Sequence, residues 1–180
     1  MRKEIYQEIE IPEGIEVKIE GNSLNVKGSE GELEKSFNVN ELDFGIKEGK
    51  IIIGSKKARK TEKKKINTFA AHIRNMLKGV TEKFEYQLKT CFNHFPITVE
   101  VQGNGAVIKN FLGEKIPRGC KILNGVEVKV DKDIITVSSA DRESAGQTAA
   151  NFEKATRISS KDRRVFQDGI FIINKAGKEI

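Results

Sequence analysis

The chain has 180 residues, 37% of them apolar and none tryptophan, with 32 lysines and arginines against 26 aspartates and glutamates and a formal net charge of +6. That length holds one large or two small domains, the composition suits compact α+β units and not disorder, and no apolar run approaches the roughly 20 residues of a membrane span. Charge is segregated: residues 1–55 carry 7 basic against 12 acidic side chains, so the basic surface lies beyond residue 55 and points to a polyanion, nucleic acid ahead of membrane.

Met1-Arg2-Lys3-Glu4-Ile5-Tyr6 is not a signal peptide. Short strands are then expected at about 4–11, 15–20, 23–28, 32–38 and 50–55, separated by turns at Gly21-Asn22, Gly28-Ser29-Glu30-Gly31 and Glu48-Gly49. The decapeptide from Lys56 to Lys65 carries seven positive charges and one negative. It leads into a helix whose positions Ile66, Phe69, Ala70, Ile73, Leu77 and Val80 recur at steps of three and four, with Gly79 expected as its C-cap.

After that helix the chain begins again. Strands are expected near 84–92, 97–103, 105–110, 121–130 in two pieces and 133–138, followed by a helix at about 141–156 with Ala145, Ala149, Phe152 and Ala155 on one face. Tyr86-Gln87 echoes Tyr6-Gln7, Pro96–Gly103 echoes Gly14–Gly21, Asp133–Ser138 echoes Lys50–Ser55, and Thr148–Asn151 echoes Thr68–Ala71, at offsets of 80, 82, 83 and 80 residues. The expected fold is α+β: a tandem duplication of a small antiparallel β-sheet domain, each copy covered by one helix. The copies occupy residues 1–81 and 82–157, with 158–180 as a basic carboxy-terminal arm.

Two basic stretches are candidates for binding. A helix amino terminus repels cations, and the second copy carries Asp141 and Glu143 at the matching place, so the fold itself does not require Lys57, Arg59, Lys60, Lys63 and Lys64 there. Phosphate contact and a merely solvated lysine face both remain open for them. In the arm, Arg157, Lys161, Arg163 and Arg164 fall within eight residues, where guanidinium forks can grip phosphates or stack on unpaired bases. Phe166 and Phe171 would anchor the segment, and an Asp168-Gly169 turn would return Ile170 and Phe171 to the second domain. Adjacent Arg163 and Arg164 should diverge to opposite sides if the arm is extended.

Other chemistries have thin support. Cys91 and His94 have C-x-x-H spacing, yet two cysteines and two histidines would all be needed for a tetrahedral site, so neither metal nor cofactor is expected. Cys91 and Cys120 form no CxxC pair, and a reducing cytosol is the simplest setting. Gly103-Asn104-Gly105 joins two strands and reads as a hairpin tip, not a phosphate loop. Two alternatives from other classes stand beside nucleic-acid binding: an RNA-processing enzyme using His72 or His94 as a general base, and an adaptor binding acidic tails through Lys56–Lys65.

The runs His72-Ile73-Arg74-Asn75-Met76-Leu77-Lys78-Gly79-Val80-Thr81, Phe84-Glu85-Tyr86, His94-Phe95-Pro96-Ile97 and Lys161-Asp162-Arg163-Arg164-Val165-Phe166-Gln167-Asp168-Gly169-Ile170-Phe171 together resemble the universal large-ribosomal-subunit protein six family, in its archaeal and eukaryotic form. The bacterial ending of Pro-x-Tyr-Lys-Gly-Lys-Gly type is absent, and the length favours an archaeal source. The resemblance implies a non-catalytic ribosomal protein in the cytoplasm, a monomer within the ribosome. Its partners would be the 3′ domain of large-subunit rRNA, near the sarcin-ricin loop and stalk base, and neighbouring large-subunit and stalk-base proteins. It places most RNA contact in the second domain and tail, so Lys109, Lys115 and Arg118 join Arg157, Lys161, Arg163 and Arg164 as expected rRNA-binding residues, with the Lys57–Lys64 group beside them.

Overall fold

The computed structural model describes residues 3–39, 42–47 and 49–180; Met1 and Arg2 of the amino terminus and Glu48 of the expected Glu48-Gly49 turn lie outside them. The chain divides into two compact units, Met1–Lys83 and Phe84–Ile180.

In the first unit, strands β1 (Lys3–Glu10), β5 (Asp43–Lys47) and β6 (Lys50–Ala58) form an antiparallel sheet in the order β1-β6-β5, and β2 (Glu16–Glu20), β3 (Ser23–Gly28) and β4 (Gly31–Ser36) form a second. Alternation decides what each strand hides. Ile9 of β1, Leu24 and Val26 of β3, and Ile51 and Ile53 of β6 are buried, while Glu4, Glu8 and Glu10 of β1 stay exposed. Helix α1 (Lys60–Thr81) closes this core with Ile66, Ala70, Ile73, Leu77 and Val80. Each large apolar side chain among these, fully buried, stabilises the unit by about 1.5–3 kcal/mol before entropy is counted.

Three local expectations change. The segment Asp43–Lys47 is a strand although only Phe44 and Ile46 alternate within it and Gly45 interrupts them; its pairing with β6 overrides a weak intrinsic preference. Strand β6 continues through Lys56 and Lys57 to Ala58, so the basic decapeptide is divided between a strand and a helix. The Arg59 N–H at the cap donates to Glu62 Oε2 at 2.7 Å, which sets one carboxylate amid the cations of the first turn. Gly79 is not a C-cap: it is buried inside α1, which runs on to Thr81 with Glu82 as its cap. The β3–β4 turn explains the extra turn of helix, because the terminal carbonyl of Val80 accepts from Glu30 N–H at 2.9 Å and Ser29 Oγ at 3.3 Å. A Cβ at Gly28 would lie 2.7 Å from that same carbonyl oxygen, so only glycine lets the turn come so close.

The second unit repeats the plan with β7 (Phe84–Cys91), β8 (Thr98–Gln102), β9 (Gly105–Lys109), a 3-10 turn at Phe111–Gly113, β10 (Arg118–Lys121), β11 (Glu127–Asp131), β12 (Ile134–Ser139) and α2 (Arg142–Ala155). Asp141 caps α2, accepting from the N–H groups of Glu143 and Ser144 at 3.0 and 3.1 Å. Beyond α2 the chain adds β13 (Gly169–Lys175) and β14 (Lys178–Glu179), giving a sheet ordered β11-β12-β7-β13-β14 beside the smaller β10-β9-β8. The stretch read as an arm is therefore a loop followed by strands of the second unit's own sheet.

Register refines the duplication. Ile9 opposes Ile51 as Leu88 opposes Ile135, and Gln7 opposes Ile53 as Tyr86 opposes Val137. The first members of each pair face their helix, so the equivalent offsets are 79 for β1 and 84 for β6, not 80 and 83. The repeated Tyr-Gln misleads by one residue, and a one-residue slip exchanges the two faces of a strand. Burial agrees: Ile66, Ala70 and Ile73 match Ala145, Ala149 and Phe152 at an offset of 79. Gln7 bonds Asn67 at 2.6 Å, while a Cβ at Gly146, the position equivalent to Asn67, would sit 3.1 Å from the Tyr86 hydroxyl. For β3 and β9 the offset of 82 holds, Leu24 and Val26 matching buried Ala106 and Ile108.

Candidate nucleic-acid interface

The loop between α2 and β13 is built around two buried polar groups. Thr156, at the end of α2, accepts from Ile170 N–H at 2.9 Å, tying the start of β13 to the helix. Asp168, 1% exposed at its side chain, holds the loop after β7: its Oδ1 accepts from the N–H groups of Asn93 and His94 at 2.8 and 3.0 Å, and its Oδ2 lies 2.7 Å from His94 Nδ1. Burial opposes the charge on Asp168, yet those N–H donors and the imidazole outweigh it and hold the carboxyl below its ordinary range. Phe166 stacks on the His94 ring with centroids 4.8 Å apart, and Lys161 Nζ stands 4.6 Å from the Phe166 centroid.

These anchors leave a hollow of about 950 Å³ between the end of β7, the last turn of α2 and the loop. Lys154, Arg157 and Arg163 line it together with Phe92, Phe166 and Phe171. Phe92 and Phe171 are 42% and 43% exposed, so part of each ring is open to solvent at the hollow. Cations for phosphates and open aromatic faces for unpaired bases are the combination that single-stranded RNA requires.

The other expected residues are scattered. Arg164 turns away from the hollow onto its neighbour Asp162, with Nη2 2.8 Å from Oδ2, which holds the Asp162 carboxyl below and the arginine above their usual ranges. The loop is a turn there, Phe166 N–H donating to Asp162 O at 2.9 Å, and is not extended. Arg118 is half-buried and occupied: its guanidinium grips Glu114, donates to the Ala155 carbonyl at 2.9 Å and lies 4.3 Å from the Phe111 ring centroid. Glu114 is held below the usual carboxylate range by that arginine. Lys109 pairs with Glu100 at 2.7 Å, and Lys115 is exposed before β10. Lys57, Arg59, Lys60, Lys63 and Lys64 are all exposed on the first unit. His72, beside Phe37, has its Nδ1 3.3 Å from Lys35 Nζ.

The profile of the family described as Ribosomal protein L6 matches residues 11–83 and again 95–169. The chain belongs to that family. Its two matched stretches fall one in each unit, so the family's own repeat coincides with the duplication of the fold. The chain is also similar to the large ribosomal subunit protein uL6 of three methanogens. Identity is 46% with that of Methanobrevibacter smithii, over 95% of this chain and 96% of the relative. It is 43% with that of Methanosarcina mazei, over 98% and 100%, and 42% with that of Methanothrix thermoacetophila, over 97% and 99%.

Within this family member, Asp168 is the residue that sequence reasoning missed. It reads locally as an Asp-Gly turn, and nothing in its spacing points to Asn93 and His94, which lie 75 and 74 positions away. The one available signal was its place beside a glycine at the start of an apolar run.

Proposed function

We propose that the protein is a structural constituent of the large ribosomal subunit that binds large-subunit rRNA in its 3′ domain, near the sarcin-ricin loop and stalk base, through the hollow of its second unit. Family membership supports the ribosomal role, and a cytoplasmic, ribosome-bound location follows from it. The observation that carries the RNA reading is the joint lining of that hollow by Arg157 and Arg163 and by the rings of Phe92, Phe166 and Phe171. A catalytic role has less to stand on: His94 has Nδ1 engaged by Asp168 and one ring face covered by Phe166.

The test is the salt dependence of binding to a 3′-domain rRNA fragment. Removing one cation that neutralises a phosphate lowers the log–log slope by roughly 0.7–0.9, by analogy with DNA. Arg163→Ala and Arg157→Ala should each reduce it by about that much, whereas Arg118→Ala, whose donors are spent inside the protein, should leave the slope unchanged. Neutralising Lys57, Lys60, Lys63 and Lys64 together reports separately on the first unit. Unchanged slopes for both Arg157→Ala and Arg163→Ala would remove the hollow from the RNA-binding surface.

A further inference from the structure

The two units differ in one respect that the duplication itself makes visible. In the second, β7 is flanked on both sides, by β12 and by β13; in the first, among the described residues, β1 has β6 as its one ladder neighbour. Under α1, where the counterpart of β13 would run, lies a hollow of about 370 Å³ lined by Ile9, Pro12, Arg74, Leu77, Lys78 and neighbouring residues. At the offset of 79, Leu77 stands where Thr156 accepts the Ile170 N–H, so the hollow lies beside the place that Ile170 takes in the second unit, and Pro12, Arg74, Leu77 and Lys78 match Cys91, Glu153, Thr156 and Arg157 of the larger hollow there.

We propose that β1 and this hollow form a docking site for an extended, basic segment of a partner protein, added to the sheet as a fourth strand beside β1. Main-chain pairing to β1 would supply affinity, and one apolar side chain would enter the hollow, the division of labour in strand addition. Charge names the partner. The face of β1 turned away from α1 carries Glu4, Glu8 and Glu10, all exposed, with Lys50 3.6 and 3.4 Å from the latter two. Basic residues on the corresponding face of an added strand would lie beside these carboxylates. A second copy of this chain would instead bring its own three glutamates to the same row, so the edge is protected against self-pairing. RNA is disfavoured by the same carboxylates.

The probe is an acetylated, amidated ten-residue peptide alternating valine and lysine, added to the full chain and followed by amide shifts and hydrogen exchange of β1. The peptide should shift the Lys3–Glu10 amides and slow exchange at alternate residues. N-methylation of the peptide amides on the edge facing β1 should abolish binding, while methylation on the other edge leaves it intact. The double variant Glu8→Lys, Glu10→Lys, both surface positions, should weaken the lysine peptide roughly tenfold and admit a glutamate version in its place. Failure of the lysine peptide to shift β1, indifference to N-methylation, concentration-dependent dimers through β1, or protection of β1 by rRNA instead would each overturn the proposal. None of these results bears on the Arg157 and Arg163 salt slopes, so the two readings stand or fall separately.

Discussion

Replacing Asp168 by alanine removes the acceptor for two backbone N–H groups and for one imidazole nitrogen at once. A hydrogen bond to a charged group contributes about 1.5–3 kcal/mol, and a buried donor left unpaired is penalised in full. The Asn93 and His94 N–H groups are only partly buried, which puts their joint loss at about 3 kcal/mol. The imidazole, its side chain 34% exposed, adds under about 1 kcal/mol after solvent screening. The expected loss is therefore about 3–4 kcal/mol, or two to three decades of amide protection, confined to the second unit. Native-state hydrogen exchange reads each unit by its own amides, with β6 and α1 as the internal control. Asp168→Asn keeps an oxygen for the two N–H groups and should lose about half as much. A loss below about 1 kcal/mol in Asp168→Ala, or an equal loss in both units, would refute the assignment of Asp168 as the anchor of this loop.

Because the folded carboxyl of Asp168 titrates below its unfolded value, its stabilisation is present at neutral pH and is lost as pH falls through the ordinary aspartate range and below; second-unit protection factors, taken relative to the intrinsic exchange rate at each pH, should fall there, and Asp168→Asn should flatten that response. The Tyr6 hydroxyl donates to Asp43 Oδ2 at 2.6 Å, a bond that pushes its pKa up to about 12, so a phenolate absorbance titration should show this tyrosine ionising late and Asp43→Asn returning it toward 10. Gly28→Ala sets a methyl 2.7 Å from the Val80 carbonyl oxygen and should destabilise the first unit by about 1–3 kcal/mol in urea unfolding, whereas Gly119→Ala, with open space at its Cβ, should leave the second unit's melting almost unchanged. Burial pushes the Cys120 thiol up to about 11, so alkylation at pH 8 should label the half-buried Cys91 well before Cys120.

What the sequence disclosed and what it hid divide along the range of the interactions concerned. Periodicity placed α1 and α2 and the buried positions Ile66, Ala70, Ile73, Ala149 and Phe152, because a helix buries a stripe set by its own local geometry. Helix ends were less legible: Gly79 looks like a stop, but the carbonyl that would need capping is met by Glu30 from a turn 50 residues earlier. Strand β5 was hidden because its stability comes from β6, and the alignment of β1 with β7 was drawn one residue off by a repeated Tyr-Gln whose two tyrosines face opposite sides of their sheets. Among the basic residues, sequence could supply charge but not availability: Arg118 and Arg163 look alike until one is found gripping Glu114 and the other lining the hollow.

The place of β13 in its sheet also fixes an order of events. Gly169 pairs with Cys91, 78 positions earlier in the chain, whereas the strands and helix of the first unit are all present once Thr81 has been made. A ribosome synthesising this chain would therefore release a first unit able to close at once, while β7 waited, one edge unpaired and its apolar seat under α2 unfilled, until β13 emerged. Contacts so distant in sequence are slow to form. The second unit would accordingly be the later to fold and the one more exposed to mispairing during synthesis. The hollow at the end of α2, whose wall is the loop leading into β13, would be complete only when that strand had docked.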